Sequence, residues 1–509
     1  MYTPPLYHWP PKSLWVQAPS RRRTWKSFSA YFHFPFCRHL CDFCGYETRL
    51  ITKDSVTAFS RNAVAQTKQH SEIDDFSNSH LRSIFFGGGT ASLMSEELMA
   101  GLLTILRSCA PSDEPPEATL ECEPGTIGRA KLEQARIQGI NRVSVCAQSF
   151  DDSILRAIGR RHTNEQSMRL LDDALGAGIK NIHLDLMYGL PGQTHQEWER
   201  TLQVASTLPI NHISTYKLYI FKHGRLNREG HPRGLEELES DTARTRAMHS
   251  SINEILGGCG FKQYTLTEYG RGGYGSEYIK SCFDGGNLLP LGPGAFGRCG
   301  NEVWENSPYV QRYSSHADAN TTGALKLNSV EALKRDVILG LWLLRVNLEQ
   351  LAATHSVNIR PELFGLLDEL CCEGSIEYSD GAISLGAHQR FGAGQVMKRL
   401  ADLSSDQWGT ARSSDQQPHY SDLADQDLPR DHVTRLDQLI RVARRDLDLF
   451  NALQKNPGGT LQKLGYDTSE AHVWALLEAI QGKQSSSCDA RVAEVRQMWS
   501  DIRQEHARQ

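Results

Sequence analysis

From Tyr31 to about Gly224 short apolar runs alternate with longer amphipathic stretches. Leu81–Phe86, Thr119–Cys122, Arg142–Val145, Ile182–Leu186 and His212–Tyr216 are short runs with mostly apolar residues, which predicts strands. Between them Glu96–Ser108, Ile127–Gln138, Thr163–Ala177 and His195–Ser206 carry apolar residues at helical spacing. Strand and helix repeat at roughly 30-residue intervals, the signature of βαβ units and a parallel sheet. Five or six right-handed crossovers of this kind curl into a barrel or part of one.

Beyond this region the pattern changes. Gly270, Gly272, Gly273, Gly285, Gly286, Gly292 and Gly294 crowd one stretch, which predicts loops covering a site. Val330 to Leu400 is mainly helical, with a short hairpin at Ile376–Tyr378 and Ala382–Leu385. A polar serine- and aspartate-rich stretch follows and reads as a linker. After it Leu436, Leu439, Ile440, Leu447, Phe450 and Leu453 return to helical spacing, broken at Pro457-Gly458-Gly459.

With 509 residues the chain is too long for one ordinary domain. A net charge of −5 gives no electrostatic reason to expect nucleic acid or an anionic membrane as partner. No apolar run reaches membrane-spanning length, since Val337–Leu344 ends at Arg345. The first residues carry aromatics, prolines and Arg21-Arg22-Arg23 rather than an apolar signal core, so a cytoplasmic location is expected. Twelve cysteines in so long a chain do not make a disulfide framework, and in a reducing compartment close-set cysteines more often hold metal.

Three of those cysteines stand together in Tyr31-Phe-His-Phe-Pro-Phe-Cys37-Arg-His-Leu-Cys41-Asp-Phe-Cys44-Gly-Tyr46. Spacings of three and two residues bring three thiolates onto one loop after a strand. Three soft thiolates can hold three irons of a 4Fe–4S cluster and leave the fourth open. A structural zinc needs a fourth ligand, for which His33 or His39 stands nearby.

The cysteine loop resembles the signature of the radical S-adenosylmethionine (SAM) superfamily. The resemblance extends from Tyr31 to Leu400 through Phe85-Phe-Gly87-Gly88-Gly89-Thr90, Glu121-Cys-Glu-Pro-Gly125, Gln148-Ser-Phe150, Gly159-Arg160-Arg161-His162, Asn181–Gln193 and Leu291-Gly-Pro-Gly-Ala295. Within the superfamily it is similar to the branch of oxygen-independent coproporphyrinogen III oxidase. It implies an α/β fold, a partial parallel (β/α)6 barrel with helical C-terminal additions. It also implies a division into an N-terminal arm (1–28), a core barrel (29–230), a glycine-rich continuation covering the site (231–329), a C-terminal domain of the branch (330–400), a linker (401–432) and a helical appendix (433–509).

By the same resemblance Cys37, Cys41 and Cys44 ligate the cluster and are catalytic. Tyr31, Phe43, Gly87, Gly88, Gly89, Thr90, Glu121, Gln148, Arg160 and Asp185 form the SAM pocket. Glycines directly after a strand let a ligand approach the backbone, Glu121 can accept from ribose hydroxyls, and the Arg160 guanidinium suits a carboxylate. The implied chemistry is reductive cleavage of SAM to a 5′-deoxyadenosyl radical, fed by an electron donor such as flavodoxin or ferredoxin.

The subtype is expected from departures. Tyr46 stands where the porphyrin-forming enzymes carry a further cysteine. Glu277–Phe283 replaces the His-Asn and Tyr-Trp segment of the heme-chaperone relatives. Cys44-Gly45-Tyr46 resembles instead the class C radical SAM methyltransferases. That resemblance implies a second SAM as methyl donor, methylation or cyclopropanation of an sp2 carbon in a small-molecule substrate, and a possible partner methyltransferase. An oxidative decarboxylase, or a heme-binding chaperone, is the alternative. No nucleic acid and no membrane is expected as partner.

Overall fold

The computed structural model describes residues 22–46, 48–112, 114–219, 242–315 and 321–411, with a few positions between 451 and 461. Most of the expected arm, the linker beyond 411 and nearly all of the helical appendix lie outside the described residues.

Six strands follow one another in parallel: β1 (Ser27–Phe34), β2 (His80–Gly88), β3 (Glu117–Cys122), β4 (Arg142–Gln148), β5 (Asn181–Tyr188) and β6 (His212–Lys217). Helices α1 (Lys53–Ile73), α2 (Glu96–Cys109), α3 (Arg129–Gln138), α4 (Asn164–Gly176) and α5 (His195–Thr207) fill the crossovers. The expected α/β fold with a mostly parallel sheet is the one observed. The helices start where short polar side chains can take up orphan amides. Thr163 with Gln166, and Thr194 with Glu197, form reciprocal capping pairs, and Ser95 accepts from Leu98 N–H.

The region expected as loops is instead part of the sheet. Strands β7 (Lys262–Gln263), β8 (Glu268–Gly270), β9 (Asn287–Leu291), β10 (Phe296–Cys299), β11 (Glu302–Asn306) and β12 (Thr321–Lys326) extend it to the order β12-β11-β10-β9-β1-β2-β3-β4-β5-β6-β8-β7. β9 pairs in parallel with β1 and adds a seventh parallel strand on its far side. The glycines there serve tight turns: Gly292, Gly294 and Gly300 have φ of 88°, 67° and 56°, which an L side chain rarely adopts. A short helix, α6 (Glu277–Phe283), precedes β9.

The parallel strands are buried on both faces, as helices on one side and a filled interior on the other require. Trp25, Phe28, Phe32, Phe34, Phe36 and Phe59 form an aromatic part of the core around β1. Burial of side chains this large stabilises by about 2 kcal/mol or more each. In the last third of the chain a three-stranded antiparallel sheet joins Arg345–Asn347, Ala382–Ser384 and Glu377–Ser379, and the last two make the expected hairpin.

Residues 356–365, with the described residues from 406 onward, belong to a second unit. Within it Val357–Ile359 pairs antiparallel with Gly409–Ala411, and Arg360 N–H donates to the Trp408 carbonyl at 3.0 Å.

Candidate functional site

The C-terminal ends of β2 to β6 and the cysteine loop enclose one cleft of about 1070 Å³, open solvent at its mouth included. Side chains at parallel-strand C-termini converge on such a crevice because the following loops all leave on that side. Of the residues expected there, all but Tyr31 and Gly87 line it. Tyr31 sits behind the wall, stacked on Tyr278 with ring centroids 5.6 Å apart, and its hydroxyl meets His33 Nδ1 at 3.1 Å. The glycine-rich stretch from 270 to 297 contributes no residue to the lining of this cleft.

The cysteine loop is docked at several points. Gly89 N–H donates to Phe34 O at 2.7 Å and Thr90 N–H to Phe36 O at 2.9 Å, so the glycine turn after β2 grips the start of the loop. A Cβ on Gly89 would lie 2.9 Å from Cys37 Sγ and 2.9 Å from Phe36 O, which is why only glycine fits. Further along, Asp42 N–H donates to Ile158 O at 3.2 Å. Burial pushes the Cys37 thiol up to about 12, with Cys44, Glu123 and Cys41 adding to the rise. Burial also raises Cys44. Such thiols ionise when a metal binds, and the released protons couple affinity to pH.

Glu123 is a functional residue that the sequence reading passed over. It lies 5% exposed beneath the loop. Its carboxylate accepts from Arg160 Nη1 at 2.9 Å and the Thr90 hydroxyl at 3.1 Å, and His39 Nε2 stands 3.2 Å away. Burial alone would raise its pKa, but His39 and Arg160 outweigh that and hold it at about 2. Arg160 is therefore already partnered by Glu123, and its guanidinium stands 5.5 Å over the Phe43 ring. The signal was available: Glu121 and Glu123 are two apart at a strand end, the spacing that turns side chains to one side.

Three buried polar atoms of cleft-lining residues lack a hydrogen-bond partner in the structure: Gln148 Oε1, Arg160 Nε and His39 Nε2. Gln148 adopts φ of 60°, uncommon outside glycine, after a register shift between Val145 and Gln148. Such a conformation costs about 1–3 kcal/mol and persists where neighbours enforce it. Glu121 accepts from Gly88 N–H at 3.2 Å. Burial, with repulsion from Asp185, pushes its carboxyl up to about 7. Asp185 accepts from the Ser144 hydroxyl at 2.6 Å and from the Tyr216 hydroxyl.

The three thiols of the loop, three carboxylates, a guanidinium and three orphan polar atoms thus face one cleft. This donor set fits a cluster with three thiolate ligands and a polar, partly charged ligand beside it. Cys146, Met187, Tyr216 and Lys217 also line the cleft and were not anticipated. Cys146, two residues before Gln148, shares its strand face by the same alternation.

Comparison with known proteins agrees with this geometry. Residues 31–205 match the radical SAM superfamily model. The chain is 30% identical over 289 residues to the heme chaperone HemW of Lactococcus lactis, covering 57% of this chain and 74% of that protein. It is 28% identical over 375 residues to HemW of Bacillus subtilis, covering 71% and 95%. It is 28% identical over 336 residues to the oxygen-independent coproporphyrinogen III oxidase of Bradyrhizobium diazoefficiens, covering 61% and 72%. The solved coproporphyrinogen III oxidase (HemN) of Escherichia coli superposes with a TM-score of 0.64 at 20% identity, covering 74% of this chain and 91% of that one, which speaks to fold.

These relatives overturn the expectation of methyl transfer with a second SAM. That expectation rested on Cys44-Gly45-Tyr46, three residues, whereas the similarity to heme chaperones and coproporphyrinogen oxidases runs over hundreds. Among the described residues no helix is long and apolar enough to cross a membrane.

Proposed function

Because the chain belongs to the radical SAM superfamily, in the branch shared by heme chaperones and oxygen-independent coproporphyrinogen III oxidases, we propose that it binds a 4Fe–4S cluster and SAM in this cleft and carries heme. The observation that carries the reading is the convergence of Cys37, Cys41 and Cys44 with the orphaned Gln148 Oε1 and Arg160 Nε on one cleft. Cys37, Cys41 and Cys44 would hold the cluster as thiolates. When bound, such a cluster supplies an electron and an open iron to which SAM can attach.

The chain's own groups then bind and orient. Glu121 and Asp185 offer carboxylate oxygens to hydroxyl or amino hydrogens, and Gln148 Oε1 offers one more acceptor. Arg160, oriented by Glu123 through Nη1, keeps its Nε–H for a carboxylate of the ligand. Leu40, Phe43, Met187 and Tyr216 give the cleft apolar wall, which excludes water around a reactive ligand. A small redox protein of the flavodoxin or ferredoxin class is the proposed electron donor.

The heme-carrying reading is preferred to oxidative decarboxylation because Tyr46 replaces the further cysteine of the oxidases. Titration of the reconstituted protein with hemin under anaerobic conditions tests it. A saturable Soret band at one heme per chain is expected. Conversion of coproporphyrinogen III to protoporphyrinogen IX would instead place the chain with the oxidases.

A further inference from the structure

Behind Asp185 the cleft wall continues into the protein as a chain of buried polar groups. Arg142, Ser144 and Cys146 on β4, His183 and Asp185 on β5, and His212, Ser214 and Tyr216 on β6 occupy alternate positions, so each set shares one strand face. The register places Ser144 beside His183, and Ser214 beside both Asp185 and Glu268. Asp185 reaches the cleft, whereas Ser144, His183, Ser214 and Glu268 are each 3% exposed or less.

Contacts run inward without a break. Ser144 Oγ lies 2.6 Å from Asp185 Oδ2 and 3.0 Å from His183 Nδ1. His183 Nε2 lies 2.5 Å from Ser214 Oγ, and Ser214 Oγ meets Glu268 Oε2. Each of these four contacts requires a hydrogen between its atoms. Ser144, Ser214 and a neutral His183 supply one each, three in all.

The neighbours have none to lend. The Tyr216 hydroxyl hydrogen goes to Asp185 Oδ1. Arg142 Nη2, 2.5 Å from His212 Nδ1, can only donate, so His212 carries its hydrogen on Nε2, which faces the Tyr264 hydroxyl at 2.9 Å and Glu268 Oε2 at 3.1 Å. That commitment also argues against a cation at His183, His212 and Glu268, although their ligand atoms lie within 4.8 Å of one another. A fourth hydrogen therefore belongs to the chain. It is not a second one on His183, because burial, with His212 and Arg142 beside it, holds that imidazole well below its ordinary value.

We infer that Asp185, Ser144, His183, Ser214 and Glu268 form a proton relay that shares one proton between its two carboxyls and opens to the cleft at Asp185. With the proton on Glu268, His183 carries Nδ1–H and Asp185 is a carboxylate. When Glu268 gives its proton to Ser214, Ser214 passes its own to His183 Nε2, Nδ1–H passes to Ser144, and Ser144 protonates Asp185. Four bonds to hydrogen break and four form, the net charge is unchanged, and the imidazole is neutral at both ends. Asp185 thus faces the cleft either as a charged carboxylate or as a neutral carboxyl whose hydrogen points to Ser144. Ser144 and His183 are positioning residues that act through Asp185. That the ligand in the cleft is SAM rests on the reading above, whereas the relay does not. Arg142, His212, Tyr216 and Tyr264 face the chain from its sides, and Glu121 and Cys146 from the cleft.

Infrared spectroscopy of the full-length protein in H2O and D2O tests the relay, in a Glu121→Gln parent so that Glu121 adds no signal. The parent should show the C=O stretch of one protonated, buried carboxyl. Adding Asp185→Asn or Glu268→Gln should abolish it, because the new amide N–H supplies the fourth hydrogen permanently. Each addition should leave the melting temperature nearly unchanged. The two together put a donor at both ends of the chain and should lower it by more than the sum. Absence of the band from the parent, or its survival in both additions, would refute the relay. If the parent does not fold, the wild-type chain with and without Glu268→Gln gives the same comparison as a loss of band area. A band that behaves as expected in a protein that does not bind SAM would overturn the ligand reading and leave the relay standing.

Discussion

Replacing Glu123 with glutamine removes one charge from beneath the cysteine loop while keeping size and hydrogen-bonding capacity. The carboxyl is held at about 2 against an ordinary 4.5, a depression of about 2.5 units. At about 1.4 kcal/mol per unit, the charge contributes about 3 kcal/mol to stability at neutral pH. A second estimate comes from Arg160, whose side chain is 11% exposed and whose partner 2.9 Å away would lose its charge. Breaking a buried pair from one side costs about 3–5 kcal/mol. The two agree. The depressed value fixes the sign: the contribution is fully present above about 4.5 and is lost as pH falls towards about 2.

Urea unfolding of the cluster-free chain, wild type against Glu123→Gln, measures the difference at each pH. The gap should be about 3 kcal/mol near pH 5 and narrow below about 4.5. The variant should also retain less iron after reconstitution, since Glu123 ties His39 of the loop to the strand end. A gap below about 1 kcal/mol near pH 5, the worth of an ordinary surface pair, would refute the reasoning. So would a gap that does not narrow in acid.

Glu121 behaves in the opposite sense. Its folded value of about 7 lies above its ordinary 4.5, so the cluster-free protein should lose stability as pH rises between them, by at most about 3 kcal/mol. Glu121→Gln should flatten that slope in the same unfolding assay and be the more stable chain at pH 8. Gly89→Ala places a methyl 2.9 Å from both Cys37 Sγ and the Phe36 carbonyl, and backbone cannot yield as a side chain can. Overpacking of this kind costs about 1–3 kcal/mol, seen as a lower melting temperature and reduced iron content. Alanine at Cys37, Cys41 or Cys44 should abolish the iron–sulfur absorbance of the reconstituted protein, and a variant that keeps it would remove that cysteine from the ligand set.

Much of the barrel was legible because parallel strands and covering helices write different periods. The five strands read from apolar runs, from Leu81–Phe86 to His212–Tyr216, all appear within β2 to β6. Asn287–Leu291 was missed because Pro290 and flanking glycines read as loop chemistry. Its neighbours supply the pairing that propensity does not: Tyr31 of β1 stands opposite Pro290. The cysteine loop and glycine turn were legible because metal ligation and close approach demand particular residue types at fixed spacing.

Glu123 and the relay were not recognised, although both leave a mark. Polar residues at every second position of an otherwise apolar parallel strand, such as His183 and Asp185 or His212 and Ser214, have no solvated face to occupy. They must therefore bond one another or a ligand in the interior. Which partners they find depends on register between strands far apart in sequence, and no local pattern encodes that. The subtype was misread for a related reason. The third cysteine and the two residues after it carry little information beside a similarity spread over most of the barrel.

The most direct test of the central claim is anaerobic. Protein reconstituted with iron and sulfide is reduced with dithionite, given SAM and hemin, and followed by chromatography and absorption. The account predicts an iron–sulfur chromophore that depends on Cys37, Cys41 and Cys44, SAM binding that weakens in Arg160→Gln, and one hemin per chain without S-adenosylhomocysteine. A well-loaded cluster that binds neither SAM nor hemin, or a zinc-loaded protein that refuses iron, would contradict it.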